Sequence, residues 1–552
     1  MQSAPAVKID VPSSIPSTVR SLLCTVSRHS LAYSRSPFLS RIAIPALFQG
    51  KLYSYSYTFL VLLKETQSLV KKTLFLSPPS FDGFDGGAGS RYQAKREITS
   101  YWFPTWLAQP AALVPGSRLI DAPPHHQTQE DVLQIAKDYE LVVMHTSTPS
   151  LTNDVECARQ IKVQNPNVKI GFIGAHVAVL PEQTLRENKL IDFVCRHEFD
   201  YTCKELAEDR PWSEIKGLSW RDEEGRLQRT EDRELVPNWD AMPGVFQTYE
   251  QNLDITKYFI GYLLHPYVSF YTGRGCPAKC TFCLWPQTIG GHAYRTKSPE
   301  CVGREMDEAK AIWGDKVREY MFDDDTFTIN EKRAIEISKH MKRLNLTWSC
   351  NARAHVKYET LKELRDNGLR LLLVGFESGN QEILNRIKKG IKLEMAREFM
   401  ANCKKLGIKV HGTFIIGLPV ETPKTVQETI DFAKELDPHT IQVSIAAPYP
   451  GTELYDQAVA NNWFARESLI SGSGIQTSTL QYENMSTAQI EDAVERMYRS
   501  FYFRPGKISS IVAEMLQDRS MIVRRLREGK EFFSYLRERS EQSRQRGIEA
   551  KG

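Results

Sequence analysis

The feature that most constrains the fold is a run of three cysteines within eight residues. The run reads YTGRGCPAKCTFC from Tyr271 to Cys283, so three and then two residues separate Cys276, Cys280 and Cys283. Two glycines and a proline interrupt regular structure, which favours a loop around one inorganic centre over a helical face. Three thiolates would leave one iron of a four-iron cluster open to a small molecule carrying an amine and a carboxylate. The loop therefore predicts a reactive iron-sulfur centre.

A structural zinc site is the competing interpretation of this loop. It needs a fourth ligand, for which His292 and Cys301 are available, but the paired spacing of zinc modules is absent. A disulfide framework is not favoured, because the remaining cysteines are scattered singly, as in reduced intracellular proteins. These are Cys24, Cys157, Cys195, Cys203, Cys301, Cys350 and Cys403.

The loop and its surroundings resemble a known enzyme family. Cys-x3-Cys-x-Phe-Cys after a short strand is similar to the signature of radical S-adenosylmethionine (SAM) enzymes, in their cobalamin-binding branch. The longer run GRGCPAKCTFCLWPQTIGGH, from Gly273 to His292, resembles the branch members associated with hopanoid biosynthesis. The resemblance extends from about Lys72 into the C-terminal region. It implies a [4Fe-4S] cluster on the three cysteines, with Phe282 beside it, and SAM and cobalamin as cofactors.

Length and charge limit the classes of function. A chain of 552 residues is expected to form two or three domains. A net charge of +4 gives no case for nucleic-acid binding, and no apolar run is long enough to span a bilayer, so any membrane contact is expected to be peripheral. The predicted parts are an extension (1–71, disordered or a misassigned start), a cobalamin-binding-like domain (72–235), a connector (236–260), a radical SAM core (261–485) and a helical C-terminal region (486–552).

After the extension, short apolar runs alternate with amphipathic segments, which is typical of a doubly wound, flavodoxin-like parallel sheet. The predicted strands are Thr73 to Ser77, Arg118 to Asp121, Leu141 to His145, Lys169 to Ile173 and Ile191 to Cys195. Ligands of such sheets lie beyond the carboxyl ends of the strands. The resemblance implies that this rim holds cobalamin, with candidate contacts Thr146, Ser147, Thr148, Gly174 and His176.

The cobalamin prediction has no direct sequence proof. The histidine motif Asp-x-His-x-x-Gly is absent from this domain, and Asp437-Pro-His439 lies elsewhere without the following glycine. Members of the branch commonly lack that histidine. An empty rim, or one with another ligand, remains the alternative. His125, His126 and His176 are interpreted as loop histidines rather than cobalt ligands.

The alternation of strand and helix resumes near Tyr267 and predicts a partial (β/α)6 barrel, followed by the helical C-terminal region. The six strands are Val268 to Tyr271, Glu319 to Phe322, Thr347 to Asn351, Leu371 to Gly375, Lys409 to Ile416 and Thr440 to Ala446. Most of them end in polar or glycine-rich residues, which is where barrel chemistry takes place. By resemblance, Asp323 or Asp324 lies near the methionine part of SAM, Glu377 and Ser378 near its ribose, and Phe414 to Gly417 near its adenine. Magnesium bound by the carboxylates of Asp323 to Asp325 is the alternative.

The last residues form predicted helices with a basic end. Apolar and basic side chains interleave after Met521, which fits either an interfacial membrane helix or a helix packed on the barrel. The expected location is the cytoplasm, at the inner membrane face if the chain touches the membrane. The expected partners are a small-molecule or lipid substrate and an electron donor such as a flavodoxin or ferredoxin.

The resemblance implies a reaction that starts from a 5′-deoxyadenosyl radical. The narrower resemblance, to the hopanoid-associated members, implies contraction of the amino-sugar headgroup of bacteriohopanetetrol glucosamine to a cyclitol ether. Cobalamin-dependent C-methylation is the second enzyme hypothesis. A non-catalytic cobalamin- or metal-binding regulator is the third hypothesis.

Overall fold

The computed structural model describes residues 70–79, 97–471, 474–517 and 520–549. The predicted extension falls almost wholly outside the described residues. The strands are β1 (Thr73–Ser77), β2 (Arg118–Asp121), β3 (Leu141–His145), β4 (Lys169–Ile173), β5 (Phe193–Cys195), β6 (Leu218–Arg221), β7 (Leu227–Arg229), β8 (Tyr267–Phe270), β9 (Gly273–Arg274), β10 (Arg295–Thr296), β11 (Glu319–Phe322), β12 (Trp348–Ala352), β13 (Leu369–Glu377), β14 (Lys409–Ile416) and β15 (Thr440–Ile445).

Helices connect and cover these strands. They are α1 (Thr105–Leu113), α2 (Gln129–Ala136), α3 (Leu151–Gln164), α4 (Ala175–Val179), α5 (Pro181–Glu187), α6 (Asp200–Ala207), α7 (Phe246–Asn252), α8 (Pro299–Trp313), α9 (Glu331–Arg343), α10 (Tyr358–Asp366), α11 (Gln381–Arg386), α12 (Leu393–Leu406), α13 (Pro423–Leu436), α14 (Glu453–Ala460), α15 (Thr487–Tyr502), α16 (Pro505–Gln517) and α17 (Ser520–Glu549).

The predicted doubly wound sheet is confirmed. Its strand order is β2-β1-β3-β4-β5-β6-β7, with β1 to β5 parallel and the β6–β7 hairpin antiparallel at one edge. The inner strands are buried along almost their whole length, as parallel strands covered on both faces are. The order turns back between β1 and β3, and this switch point is where such sheets bind ligands.

The predicted partial barrel is also confirmed. Six parallel strands lie in the order β15-β14-β13-β12-β11-β8. The fourth strand along the chain is longer than predicted, since it starts at Leu369 and continues past Gly375 to Glu377. The register with β14 shifts between Gly375 and Glu377, so the extension is a bulge that could not be read from periodicity.

One hydrophobic cluster runs through both sheets, from Phe75 on β1 to Leu536 on α17. At the junction, the buried guanidinium of Arg274 donates to Asp200 and lies over the rings of Trp106 and Trp239. Charges this deep require close partners, and the carboxylates of Asp200 and Glu198 supply them. The two sheets are therefore held in one fixed arrangement.

The C-terminal helices cover the edge strand of the barrel. A capping box at Ser486 opens α15, whose Tyr498 hydroxyl accepts from the backbone N–H of Val443 on β15 at 2.9 Å. Helix α17 packs inward through Tyr535 and Leu536, and Arg524 on it donates to the carbonyl of Gly261 at 2.6 Å. In the part of the chain that the structure describes, no helix combines the length and apolarity that a membrane span requires.

Candidate active site

A cavity of about 320 Å³ lies inside the partial barrel, toward the carboxyl ends of its strands. The structure brings six of the predicted site residues to its wall. They are Cys276, Cys280, Phe282, Cys283, Glu377 and Phe414. Side chains from three separate segments of sequence therefore converge on one space.

The cysteine loop has a fixed shape. Gly275 has φ +94°, and a Cβ there would come within 2.2 Å of the Ala293 carbonyl oxygen, so only glycine fits this approach. Gln287 reaches under the loop and donates through Nε2 to the carbonyl oxygens of Cys283 at 2.6 Å and Cys280 at 3.3 Å. Gln287 was not predicted, because nothing in its local sequence marks an amide as a support for the loop.

Two thiols of the loop lie in surroundings that oppose ionisation. Burial raises the pKa of Cys276 and Cys283, and neighbouring acidic groups, Asp325 among them, raise it further. Cluster ligands are thiolates, so cluster assembly must release protons from this loop. Among the described residues, no three His, Cys, Asp or Glu side chains converge closely enough for a single metal ion.

Glu377 stands at the bulge of β13 with φ +64°, a conformation that costs energy for a residue with a side chain. Its Oε1 accepts a hydrogen bond from Lys389 Nζ at 2.6 Å, and both side chains are nearly buried. Burial lowers the pKa of Lys389, but the charges of Glu377 and Cys280 outweigh burial and raise it overall. The cavity thus presents a buried ion pair beside the cysteines.

Three charged residues of the cavity wall were not in the predicted set. They are Asp325, Arg353 and Lys389. Arg353 follows β12 and donates to the backbone carbonyl of Lys389. Asp325 and Arg353 stand after strand ends, where barrel chemistry is expected, whereas Lys389 arrives from the loop after α11.

The other two carboxylates of the Asp323 to Asp325 run turn elsewhere. Asp324 is fully buried and accepts hydrogen bonds from the Thr272 N–H and the Tyr294 hydroxyl, both at 2.6 Å. Burial raises its pKa, although these donors and Arg333 oppose the shift. Asp323 accepts from Asn351 Nδ2 at 3.2 Å. Of the three, Asp325 alone lines the cavity as the described residues form it.

Ser378 and Gly417 lie next to the cavity without lining it. The Ser378 hydroxyl is fully buried and contacts the Thr429 hydroxyl at 3.2 Å. Gly417 has φ +86°, and its N–H donates to Glu421 Oε2 at 2.5 Å. Both residues shape the backbone after strands that carry wall residues.

At the rim of the first sheet, the predicted contacts form one group. Gly174 has φ +126°, and a Cβ there would come within 2.1 Å of the Thr146 carbonyl oxygen. The Ser147 hydroxyl contacts Ser150 Oγ at 2.9 Å, and His176 Nδ1 lies 3.0 Å from Thr148 Oγ1. The loops after β3 and β4 therefore meet directly.

His145, the last residue of β3, was missed because it reads as part of an apolar strand. Burial lowers its pKa to about 4, so the ring is neutral. Its Nε2 is buried without a hydrogen-bond partner among the described residues, and a Cβ on Gly174 would lie 3.4 Å from it. A buried polar atom beside a glycine at the sheet's switch point suits a ligand that supplies the missing bond.

The rim and the cysteine loop share a wall. Helix α4 starts right after Gly174 and packs against the turn Pro286–Gly290, which follows the cysteines. A Cβ on Gly451, after the last barrel strand, would lie 2.7 Å from Val179 Cγ1 on α4. His197 Nδ1 also lies 3.0 Å from the Thr288 carbonyl oxygen of that turn.

Comparison with known proteins decides the family. The model of the radical SAM superfamily matches residues 270–433, and the model of the B12-binding domain matches residues 94–207. An uncharacterized methyltransferase of Pyrococcus horikoshii is 32% identical over 468 residues, which is 83% of this chain and 97% of the relative. The chain belongs to the cobalamin-binding radical SAM enzymes.

Other relatives are more distant. A bacteriochlorophyllide d C-8(2)-methyltransferase of Chlorobaculum tepidum is 24% identical over 61% of this chain and 73% of its own. A hopanoid C-3 methylase of Methylococcus capsulatus is 26% identical over 54% of this chain and 56% of its own. The solved structure of the cobalamin-dependent SAM radical enzyme OxsB has a TM-score of 0.62 at 16% identity and covers 86% of this chain and 72% of that one. The last comparison supports the fold.

The radical SAM domain and the B12-binding domain give this enzyme its cofactors: a [4Fe-4S] cluster, SAM and cobalamin. The residues present fit these groups. Three cysteines line one cavity of the radical SAM domain, and the rim of the B12-binding domain has a glycine cradle with an unsatisfied imidazole nitrogen on His145. The radical SAM domain and the methyltransferase relative indicate an enzyme rather than a non-catalytic regulator.

Bulk at the rim of the B12-binding domain is expected to abolish corrinoid retention. Thr148→Trp would fill the space between the loops after β3 and β4. His176→Ala, the matched control on the partner of Thr148, should leave the cobalt spectrum nearly unchanged. Gel filtration of protein loaded with hydroxocobalamin, read by visible absorbance, measures both. Equal retention by Thr148→Trp and the unaltered chain would place cobalamin elsewhere.

The radical SAM domain should also lose stability as pH rises. Burial raises the pKa of the fully buried Glu421 to about 8, against the opposing N–H donors of Gly417 and Leu418. Between about pH 4.5 and 8 the unfolded chain releases this proton and the folded chain retains it, so the free energy of unfolding falls. Glu421→Gln should flatten the decline of Tm over that window, and the exposed Glu467→Gln should not. Parallel curves for Glu421→Gln and the unaltered chain would show that the carboxyl ionises without cost.

Proposed function

We propose that the chain is a cobalamin-dependent radical SAM methyltransferase that adds a methyl group to carbon of a small molecule. The observation that carries the proposal is the wall shared by the two cofactor sites, where α4 leads from the Gly174 rim to the turn after the cysteines. A methyl group that passes between two cofactors requires such closeness. The 32% identical methyltransferase relative, aligned over 97% of its length, supports the same reaction class.

SAM is proposed to lie in the barrel cavity against residues of complementary chemistry. Asp325 is the carboxylate proposed for its ammonium, and Arg353 is the donor proposed for its carboxylate. Glu377, oriented by Lys389, accepts from the ribose hydroxyls. Phe414 and Ile415 supply the apolar wall for adenine.

The bound cofactors supply reductive cleavage of SAM and transfer of its methyl group. The chain's own residues bind, orient and exclude water. Trp102, Trp285 and Tyr449 are nearly buried and line the cavity. Such a wall protects reactive species from solvent. Gln287 keeps the cysteine loop in position from below. An electron donor of the flavodoxin or ferredoxin type is proposed to reduce the cluster.

The test is anaerobic reconstitution with iron, sulfide and cobalamin, followed by incubation with trideuteromethyl SAM and a reductant. A cellular extract of small molecules and lipids, and separately bacteriohopanetetrol glucosamine, serve as acceptors. Methylation predicts S-adenosylhomocysteine together with 5′-deoxyadenosine, and a product that carries the label by mass spectrometry. Ring contraction, the narrower expectation from sequence, predicts 5′-deoxyadenosine without S-adenosylhomocysteine and an unlabelled cyclitol ether. The second outcome would replace the proposal.

A further inference from the structure

A second cavity, of about 450 Å³, lies between the barrel and the C-terminal helices. It reaches the first residues of β15, whereas the active-site cavity is lined by the later residues of β14 and β15. Its volume falls within the range of about 300 to 1,000 Å³ that small-molecule sites occupy. The helical part of its wall lies outside both segments that the family models match, 94–207 and 270–433.

The two cavities are contiguous. Tyr262, His411 and Gln442 line both of them. The rings of Tyr262 and His411 stack at 3.9 Å with an interplanar angle of 26°, and His411 Nδ1 lies 2.7 Å from Thr440 Oγ1. The stacked pair and Gln442 therefore form the boundary between the reacting space and the second cavity.

The second cavity suits an apolar occupant. Most of its wall is aliphatic or aromatic, contributed by Ile441 of β15 and by residues of α15, α16 and α17. Arg525 pairs with Glu514 at 3.2 Å and with Glu528 at 2.7 Å, and Glu97 accepts a hydrogen bond from a tyrosine hydroxyl at 2.7 Å. These charged groups of the wall thus already have polar partners.

Apolar side chains also surround its solvent side. Phe503, Ile508, Val512 and Phe533 line the cavity and are 38% to 59% exposed. Leu516, Val523 and Leu526 on α16 and α17 are exposed by 63% to 75%. Exposed apolar clusters of this kind mark binding sites more often than chance surface.

We propose that this cavity holds an apolar chain or ring system of the methyl-accepting substrate, while the Tyr262–His411 pair marks the boundary with the reacting part. The substrate class is then a molecule with a polar or reactive end and a lipid-like remainder. Continuity with the cysteine-lined cavity selects the substrate over an unrelated lipid. That the occupant is the methyl-accepting substrate rests on the proposed function. That the occupant is apolar rests on the geometry of the cavity alone.

Gly529 provides a direct test. It lines the second cavity from α17, and a Cβ built on it meets nothing within 4 Å. Gly529→Phe should place a ring in the cavity, since the first side-chain atom has open space, and it replaces a weak helix former. Gly506→Phe is the matched control, since Gly506 on α16 also has open space but does not line the cavity.

The probe is dansylundecanoic acid, titrated by fluorescence against the reconstituted full chain. Gly529→Phe should weaken its binding by at least about tenfold, the equivalent of about two lost methylene contacts. Gly506→Phe should bind as the unaltered chain does. Thermal melting and formation of 5′-deoxyadenosine from SAM should be preserved in both, which shows that the fold and the first cavity are intact. Ser510→Phe, on the opposite helix, repeats the test if Gly529→Phe melts early.

Equal affinity of all variants for the probe, or no binding by the unaltered chain, would overturn the inference. Binding that is lost in Gly529→Phe supports it, whatever product forms from SAM. Methyl transfer without probe binding would leave the proposed function standing and remove the apolar site. Probe binding with no methyl transfer would retain the apolar site and remove the proposed methyltransferase function.

Discussion

Cys280→Ala is expected to abolish assembly of the [4Fe-4S] cluster. The three cysteines line one cavity, and the carbonyl oxygens of Cys280 and Cys283 are fixed by Gln287, so the loop cannot shift to recruit another thiol. A cluster with two remaining protein ligands should be lost on desalting. Iron and sulfide analysis with the visible absorbance of the anaerobically reconstituted protein measures the effect.

Cys301→Ala is the control for this loss. Cys301 is nearly buried in α8 and does not line the cavity, so its removal costs packing but no cluster ligand. Its iron content should equal that of the unaltered chain. A Cys280→Ala protein with full iron and unchanged absorbance would remove the cluster from this loop, and iron loss in Cys301→Ala would support the zinc-type arrangement with a fourth ligand.

The sheets could be predicted because their signals are local. The β1 to β4 strands have the predicted bounds, since each is a short, mostly apolar run of the kind that a sheet covered on both faces requires. The cysteine loop is equally local, as its three thiols lie within eight residues. Spacing along the chain is enough to bring such residues together.

The polar wall of the cavity could be predicted only in part. Three carboxylates follow β11 in sequence, and the bonds that Asp324 makes with Thr272 and Tyr294 decide that Asp325 faces the cavity. Those partners lie 52 and 30 residues away, so no local pattern encodes the choice. The contact of Lys389 with Glu377 likewise has no local sequence pattern, because it depends on the bulge at the end of β13.

The reaction was the part least accessible to sequence. The motif that resembles hopanoid-associated enzymes surrounds the cysteines, which bind cofactors rather than the acceptor. In our proposal acceptor specificity depends on residues such as Tyr262 and His411, which are far apart in sequence and meet only in the fold. The comparisons accordingly support a cobalamin-dependent methyltransferase and give no support to ring contraction.

Glu377→Gln is expected to weaken SAM binding and to destabilise the fold. Loss of a charged acceptor for the ribose hydroxyls should cost on the order of 1 to 3 kcal/mol, a factor of about 5 to 150 in Kd. The change also leaves Lys389 buried beside a neutral amide, which should lower the free energy of unfolding by about 3 to 5 kcal/mol. Equilibrium dialysis with SAM and urea unfolding measure the two effects separately.

The neighbouring pair of Lys388 and Glu453 supplies the control. These side chains meet at 2.7 Å but are 51% and 37% exposed, so Glu453→Gln should cost at most about 1 kcal/mol of stability and leave SAM affinity unchanged.

The double variant Glu377→Gln/Lys389→Met separates contact with SAM from support of the fold. Removing the ammonium together with its partner eliminates the unpaired charge, so stability should largely return. SAM affinity should stay low, because the acceptor is still missing. Recovery of both properties in the double variant would show that Glu377 acts only by neutralising Lys389, and would assign the ribose to another side chain of the cavity.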